Sequence, residues 1–70
     1  MNLSKSVTYG MVAMGYIAKQ TDVRCVPSEE IAKKFDIPNE YLVKIMSQLV
    51  RAGLLRSKRG PQGGFSLAKP

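Results

Sequence analysis

The stretch SEEIAKKFDIPNEYLVKIMSQLVRAG, residues 28–53, contains two short amphipathic segments separated by an Asp-Ile-Pro break. Apolar residues recur at helical spacing on both sides of it: Ile31, Ala32 and Phe35 before the break, and Leu42, Ile45, Met46, Leu49 and Val50 after it. The residue before a proline disfavours the helical region, so a helix over residues 28–35 ends before Pro38. Proline is tolerated in the first turn of a helix, so a second one is predicted over residues 38–52. Two helices joined by so short a break form a helix-turn-helix.

The ends of these two helices carry their own signals. Ser28 is predicted to be the N-cap of the first, and Glu29 and Glu30 follow in the first turn, where acidic residues favour the helix dipole. Gly53 is a natural stop for the second.

The segment after Gly53 predicts a β-hairpin over residues 54–68. Its centre, RSKRGPQGGF, is residues 56–65, with apolar residues on both sides. We expect Leu54, Phe65 and Leu67 to form its core. A phosphate-binding loop is the other reading of so many glycines, but the GxxxxGK[ST] pattern is missing and no helix follows. The sequence therefore predicts a mainly α fold with a small β-hairpin, a winged helix-turn-helix.

Residues 3–19 predict one more helix, with two apolar stripes. The stripe expected to face the core contains Leu3, Val7, Met11, Met14, Ile17 and Ala18. The second stripe contains Tyr9, Val12 and Tyr16, and we expect it to remain open for a partner. The interruptions at Thr8 and Gly10 argue against a signal peptide, and no run is long enough to cross a membrane.

Composition narrows the classes of function. The chain has 70 residues, enough for one domain, with one cysteine and no histidine. Metal-site spacings and Cys/His or Ser/His catalytic arrangements are therefore missing, and no enzyme is expected. Without a disulfide the chain suits a reducing compartment, so we expect it in the cytoplasm. The lone Cys25 is read as a small buried filler rather than a redox group.

The net charge of +6 lies almost entirely in the last part of the chain, since residues 51–70 carry +5 and residues 1–50 only +1. A one-sided basic patch suits a polyanion, although a solvated basic face is about equally common. The outer face at the start of helix 38–52 has mostly side chains that can hydrogen-bond to base edges or phosphates: Asn39, Glu40, Tyr41, Val43, Lys44 and Ser47. Lys44 and Asn39 are candidates to read base edges, and Tyr41 to contact a phosphate or sugar. A merely solvated helix face remains the alternative.

The chain resembles the winged-helix regulators of the IscR/NsrR/CymR type, the Rrf family of bacteria. The similarity runs over nearly the whole chain, through MNLSKSVTYGMVAMGYIA, VPSEEIAKKFDIPNEYLVKIMSQL and RAGLLRSKRG, and is most specific in RGPQGGFSLA. The resemblance implies a dimeric transcription factor, a repressor in type, that binds a partly palindromic double-stranded DNA operator. It implies that the helix with Tyr41 and Lys44 enters the major groove. The wing tip at Arg59, Gly60 and Pro61 would enter the minor groove.

The complete predicted DNA-binding set, which includes flanking residues, is Ser28, Asn39, Glu40, Tyr41, Lys44, Lys58, Arg59, Gly60, Pro61 and Gln62. Two positions depart from the family pattern. Val43 stands where cluster-binding members often have an acidic residue, and Gln62 where many relatives have glycine. The family's long dimerisation helix and sensor segment, which holds an iron–sulfur cluster in some members, would lie beyond residue 70, so no cofactor is expected in these residues.

A protein-interaction adaptor with the same fold is the alternative function, because a fold alone does not fix function. An adaptor would not need a basic wing beside a hydrogen-bonding helix face.

Overall fold

The computed structural model describes residues 5–20 and 24–68. They form three helices and one antiparallel hairpin: α1 (Lys5–Ala18), α2 (Ser28–Phe35), α3 (Asn39–Arg51), β1 (Leu55–Lys58) and β2 (Gly64–Leu67). The predicted class, mainly α with a small β-hairpin, is confirmed. Leu3, the first residue of the predicted inner stripe, lies outside the described residues.

The break between α2 and α3 is made by a left-handed residue. Asp36 has φ 55° and ψ 48°, and the amides of Asp36 and Ile37 both donate to the carbonyl oxygen of Ala32. Ile37 is buried beneath the turn, so the break is anchored in the core. Phe35, on the predicted apolar face of this helix, is 41% exposed and packs edge-on against Tyr16 of α1.

Gly53 ends α3 as predicted, with φ 81°. Its amide donates to the carbonyl of Val50 at 3.0 Å, and the amide of Leu54 donates to that of Leu49 at 2.9 Å. This pair of bonds is the Schellman motif, which closes a helix and redirects the chain. Here it sends the chain from α3 directly into the hairpin.

The hairpin pairs Leu55 with Leu67 and Ser57 with Phe65 on one face. Leu55 is the residue that enters the core, at 2% exposure, whereas Leu54 is 49% exposed. The expectation that Leu54 belongs to the core is therefore wrong by one residue, because the Schellman turn places it before the strand begins. Val26 forms an isolated antiparallel bridge with Phe65 of β2, because each residue's amide donates to the other's carbonyl oxygen at 2.8 Å.

The core lies where the three helices meet β1. Its fully buried large side chains are Val26, Ile31, Leu42, Met46 and Leu55. Among the described residues, no helix combines the length and the apolarity that crossing a bilayer demands.

The orientation of α1 differs from the prediction. Its buried line is Gly10, Ala13 and Ile17. Ile17 belongs to the predicted inner stripe, whereas Gly10 and Ala13 belong to neither predicted stripe. Val7 and Met11 are 47% and 65% exposed and Ala18 is also exposed, so their assignment to the core is wrong. The stripe of Tyr9, Val12 and Tyr16 is half-buried and packs against the core, so it is not open for a partner.

Small residues explain this choice of face. A Cβ at Gly10 would lie 3.5 Å from Cγ2 of Ile45, so α1 packs closely against α3 there. Close packing of two helix backbones gains more contacts along a line of small side chains than along a ridge of methionines. An open apolar groove of about 520 Å³ lies beside α1. Its lining includes Val7, Met11, Met14, Leu49 and Leu54.

Candidate nucleic-acid interface

The first turn of α3 holds Asn39 half-buried and Glu40 exposed. The hydroxyl of Ser28 donates to Oδ1 of Asn39 at 2.9 Å. Ser28 is itself only 6% exposed. The start of α2 and the start of α3 are thus linked side chain to side chain.

Two predictions for Ser28 change as a result. Ser28 is the first residue of α2 and does not cap it, because Pro27 occupies the N-cap position and no side chain caps the helix. Nor does Ser28 lie on the surface expected of a DNA contact, since its hydroxyl is buried and already donates to Asn39. The sequence signal that favours serine at a helix start also fits a serine that bonds to a neighbouring element, and only the tertiary structure distinguishes the two.

Tyr41 is braced from α1. Its hydroxyl lies 2.9 Å from Oγ of Ser6, and its ring packs edge-on against that of Tyr9 with centroids 5.6 Å apart. Tyr41 is half-buried, so one edge of the ring remains accessible. Such a contact fixes the ring without removing it from the surface.

Lys44 lies one turn further along α3 and is exposed, as are Val43 and Ser47. With Asn39 and Tyr41 held by neighbours, the surface at this end of α3 combines two fixed side chains with a long exposed cation. Fixed polar groups beside a mobile cation can serve base recognition and phosphate attraction together.

The wing tip is a tight turn. The amide of Gly63 donates to the carbonyl of Gly60 at 2.9 Å, with Pro61 and Gln62 between them. Gln62 keeps a negative φ, which excludes a type II turn, and proline at the second position suits type I. Pro61 and Gln62 are both exposed at this tip, as is Gly60.

Two glycines of the wing are there because no larger residue fits. A Cβ at Gly63 would lie 2.1 Å from the carbonyl oxygen of Lys58, and one at Gly64 would lie 2.6 Å from that of Val26. Gly64 also has φ 146°. The backbone of the wing therefore packs tightly against the backbone of Lys58 at Gly63 and of Val26 at Gly64.

The cations of the wing are exposed. Lys58 pairs with Gly64 and Arg56 with Ser66, so these two cations share the face opposite to Leu55 and Phe65. Arg59 follows at the entry to the turn and is exposed too. Because Arg59 directly follows Lys58, we expect the two side chains to lie on opposite sides of the ribbon.

A polar groove of about 540 Å³ separates the wing from the start of α2; its lining includes Arg24, Cys25, Pro27, Glu30, Lys58 and Gln62. Pro27 lies in this groove, and the next residue, Ser28, bonds to Asn39. The start of α2 thus adjoins both the wing and the start of α3. Cys25 is half-buried along the groove rather than a fully buried filler.

Arg24 is the cation in this region that the sequence did not single out. Both of its terminal nitrogens donate to Glu30, at 3.1 and 2.9 Å, and Nη2 also donates to Oε1 of Gln20 at 2.7 Å. The hydroxyl of Tyr16 donates to Glu30 as well. The hydrogen bonds from Arg24 and then Tyr16 lower the pKa of Glu30 from 4.5 to about 2. Arg24 and Glu30 are six residues apart, and Arg24 precedes the first residue of α2. Helical spacing therefore does not predict that the two side chains pair.

Comparison with known proteins gives one family. The model of the Rrf2 family, described as iron-dependent transcriptional regulators, matches residues 3–70. A relative from Aquifex aeolicus, named as an HTH-type transcriptional regulator, is 46% identical over 99% of this chain and 47% of its own length. BadM of Rhodopseudomonas palustris, named in the same way, is 43% identical over 97% of this chain and 43% of its own.

Solved structures agree. CymR of B. subtilis, the global cysteine regulator, superposes with a TM-score of 0.91 at 30% identity, over 99% of this chain and 54% of its own. IscR of T. potens superposes with a TM-score of 0.86 at 33% identity, over 99% of this chain and 50% of its own. The chain thus spans about half the length of the curated relatives it matches.

The family description mentions iron, which proteins hold through His, Cys, Asp or Glu side chains. Residues 5–20 and 24–68 contain no group of three or more such side chains that could hold a metal ion. The described residues therefore do not fit an iron site. The match over residues 3–70 and the similar regulators at 43–46% identity place this chain in the Rrf2 family of transcriptional regulators.

Proposed function

We propose that this chain binds double-stranded DNA in a sequence-specific manner, with the start of α3 in the major groove and the wing in the minor groove. The observation that carries the proposal is the start of α3, where Asn39 and Tyr41 are held in place by other helices beside the exposed Lys44. In helix-turn-helix docking the first residues of the second helix reach the base edges. Side chains that are already ordered lose less entropy on binding.

The wing supports the second contact. Its tip is narrow because Gly60, Gly63 and Gly64 carry no side chains, and Arg59 stands at its entry. Arginine is favoured in narrow minor grooves, where the negative potential is enhanced. Lys58 and Arg56 share the outer face of β1 and suit phosphates.

The charge distribution supports the same reading. Residues 51–70 carry +5 of the net +6, and the hairpin within them is mostly exposed. Phosphate attraction supplies most non-specific affinity for DNA and makes it depend on salt.

For the whole protein we propose a homodimeric cytoplasmic regulator that represses transcription by occupying an operator with two half-sites. Two copies of one DNA-binding domain bind half-sites about one helical turn, or a multiple of it, apart. The match covers less than half of each relative's own length. In a protein of that length, the remaining residues are available for a dimer contact. The tyrosine stripe of α1 is half-buried against the core, so we expect that contact to lie elsewhere.

The test is a selection of bound sequences from a random duplex library, followed by salt titrations of the selected site and of a scrambled duplex. We expect one enriched motif and an affinity that falls linearly with salt on logarithmic axes. Enrichment of no motif, together with salt-independent or undetectable binding, would overturn the proposal and favour a protein-interaction adaptor.

A further inference from the structure

The hydrogen bond between Ser28 and Asn39 holds the Asn39 carboxamide with its oxygen towards Ser28. The carboxamide of Asn39 has one acceptor oxygen and one donor nitrogen. Its oxygen, Oδ1, accepts from the hydroxyl of Ser28 at 2.9 Å. The nitrogen, Nδ2, is at the other end of the same planar group and therefore points away from Ser28.

Burial of Ser28 makes this hydrogen bond costly to break. Ser28 is 6% exposed, so its hydroxyl has no ready access to water and relies on Asn39 for a partner. Among the described residues, every buried side-chain nitrogen or oxygen has a hydrogen-bond partner. A buried polar group that loses its partner keeps its desolvation penalty, so rotation of the Asn39 side chain away from Ser28 is disfavoured.

We propose that Ser28 is a positioning residue for specificity: it holds Asn39 so that α3 presents the Nδ2 amide as a donor, which selects guanine over cytosine at one operator position. Guanine offers two acceptors, N7 and O6, on its major-groove edge, whereas cytosine offers the N4 donor. The inference rests on the proposed placement of α3 in the major groove. It gives Ser28 a role that acts through Asn39, without contact to DNA.

Substitution of Asn39 tests the outward group. Asn39→Asp keeps an oxygen for Ser28 but replaces the outward donor with an acceptor. We expect the guanine preference to be lost and to move towards cytosine, alongside a general weakening from the added negative charge. Asn39→Ala should reduce the guanine-over-cytosine ratio about tenfold, the usual scale for one good base contact.

Substitution of Ser28 tests the positioning. Ser28→Ala leaves Asn39 intact but releases its carboxamide, so we expect a several-fold smaller guanine-over-cytosine ratio and unchanged affinity for scrambled DNA. The double variant Ser28→Ala/Asn39→Ala is the control, because it removes both partners and leaves no unpaired hydroxyl. Its base ratio should equal that of Asn39→Ala, which shows that Ser28 acts only through Asn39.

The measurement is competition binding of the 70-residue chain to four duplexes that differ at one base pair of the selected site, with circular dichroism to verify folding. An unchanged base ratio in Asn39→Ala and Asn39→Asp would overturn the inference while the proposed function stands. An unchanged ratio in folded Ser28→Ala would overturn the role of Ser28. If Ser28→Ala does not fold, the Asn39→Asp switch decides alone. Failure of the wild-type chain to bind any duplex would overturn the proposed function and, with it, this inference.

Discussion

Tyr9 of α1 packs edge-on against Tyr41 of α3, with ring centroids 5.6 Å apart and ring planes at 79°. The pair connects the first helix of the domain to the surface that we propose for base recognition. Edge-to-face aromatic pairs contribute about 0.5–1.5 kcal/mol beyond the area they bury. The role of Tyr9 is therefore to stabilise the start of α3, which differs from the open stripe that its spacing suggests.

Lys44 is the exposed cation of α3 closest along the chain to this braced surface. We expect Lys44→Ala to relax the preference at one operator position by about 1–3 kcal/mol, because a lysine donor to guanine O6 or N7 is lost. The measurement is a repeat of the duplex selection with the variant. Recovery of an identical motif would show that Lys44 contacts only phosphate or no DNA at all.

The two neighbouring cations of the wing should differ in their effects. We expect Lys58→Ala to weaken binding equally on all duplexes and to reduce the salt slope by about 1, because one phosphate contact is lost. Arg59→Ala should weaken the selected site more than scrambled DNA, most of all where an A-tract narrows the minor groove.

Salt titrations on an A-tract-flanked site and on a GC-flanked copy separate these outcomes. Each variant serves as the control for the other, since the residues are adjacent and both exposed. Equal losses on both duplexes in Arg59→Ala, or no loss, would argue against a minor-groove role for the wing.

Two glycines give a matched pair of stability predictions. A Cβ at Gly63 would lie 2.1 Å from the Lys58 carbonyl oxygen, so Gly63→Ala must distort the hairpin, at a cost of about 1–3 kcal/mol or more. Gly15 is exposed in α1 with nothing within 4 Å of an added Cβ. Gly15→Ala should therefore stabilise the domain by about 0.5–1 kcal/mol through helix propensity. Urea denaturation measures both, and a tolerated Gly63→Ala would mean that the tip is wider than described.

The pairing of Glu30 with Arg24 predicts a dependence of stability on pH. Because folding lowers the pKa of Glu30 from 4.5 to about 2, ionised Glu30 stabilises the fold above pH 4.5, and this stabilisation is lost as the pH falls towards 2. Glu30→Gln should be less stable than wild type at neutral pH, with a difference that shrinks across that window. Glu29→Gln, at an exposed neighbour, is the control and should change the profile less. A constant difference down to pH 2 would contradict the assignment.

The sequence predicted the parts of the fold that local patterns determine. The break at Asp36-Ile37-Pro38, the stop at Gly53 and the glycine-rich hairpin each follow from backbone preferences of a few residues, and the fold class is confirmed. The errors concern choices between two apolar neighbours. Leu54 and Leu55 are equally apolar, and only the Schellman turn after α3 decides which of them enters the core.

The same limit applies to α1 and to the candidate site. Helical periodicity predicts two stripes on α1, but the close approach at Gly10 decides which line is buried. Asn39, Tyr41 and Lys44 could be chosen by residue type and position on a helix. Their bracing could not, because Ser28 and Tyr9 lie 11 and 32 residues away along the chain and meet them only in the folded state.

The central claim, that the start of α3 and the wing together form the DNA-binding surface, is tested most directly by amide chemical-shift changes when the selected duplex is titrated into the 70-residue chain. We expect the largest changes at residues 39–44 and 58–63, with small changes along the apolar groove at Met11 and Met14. Large changes confined to that groove, or none at residues 39–44, would contradict it.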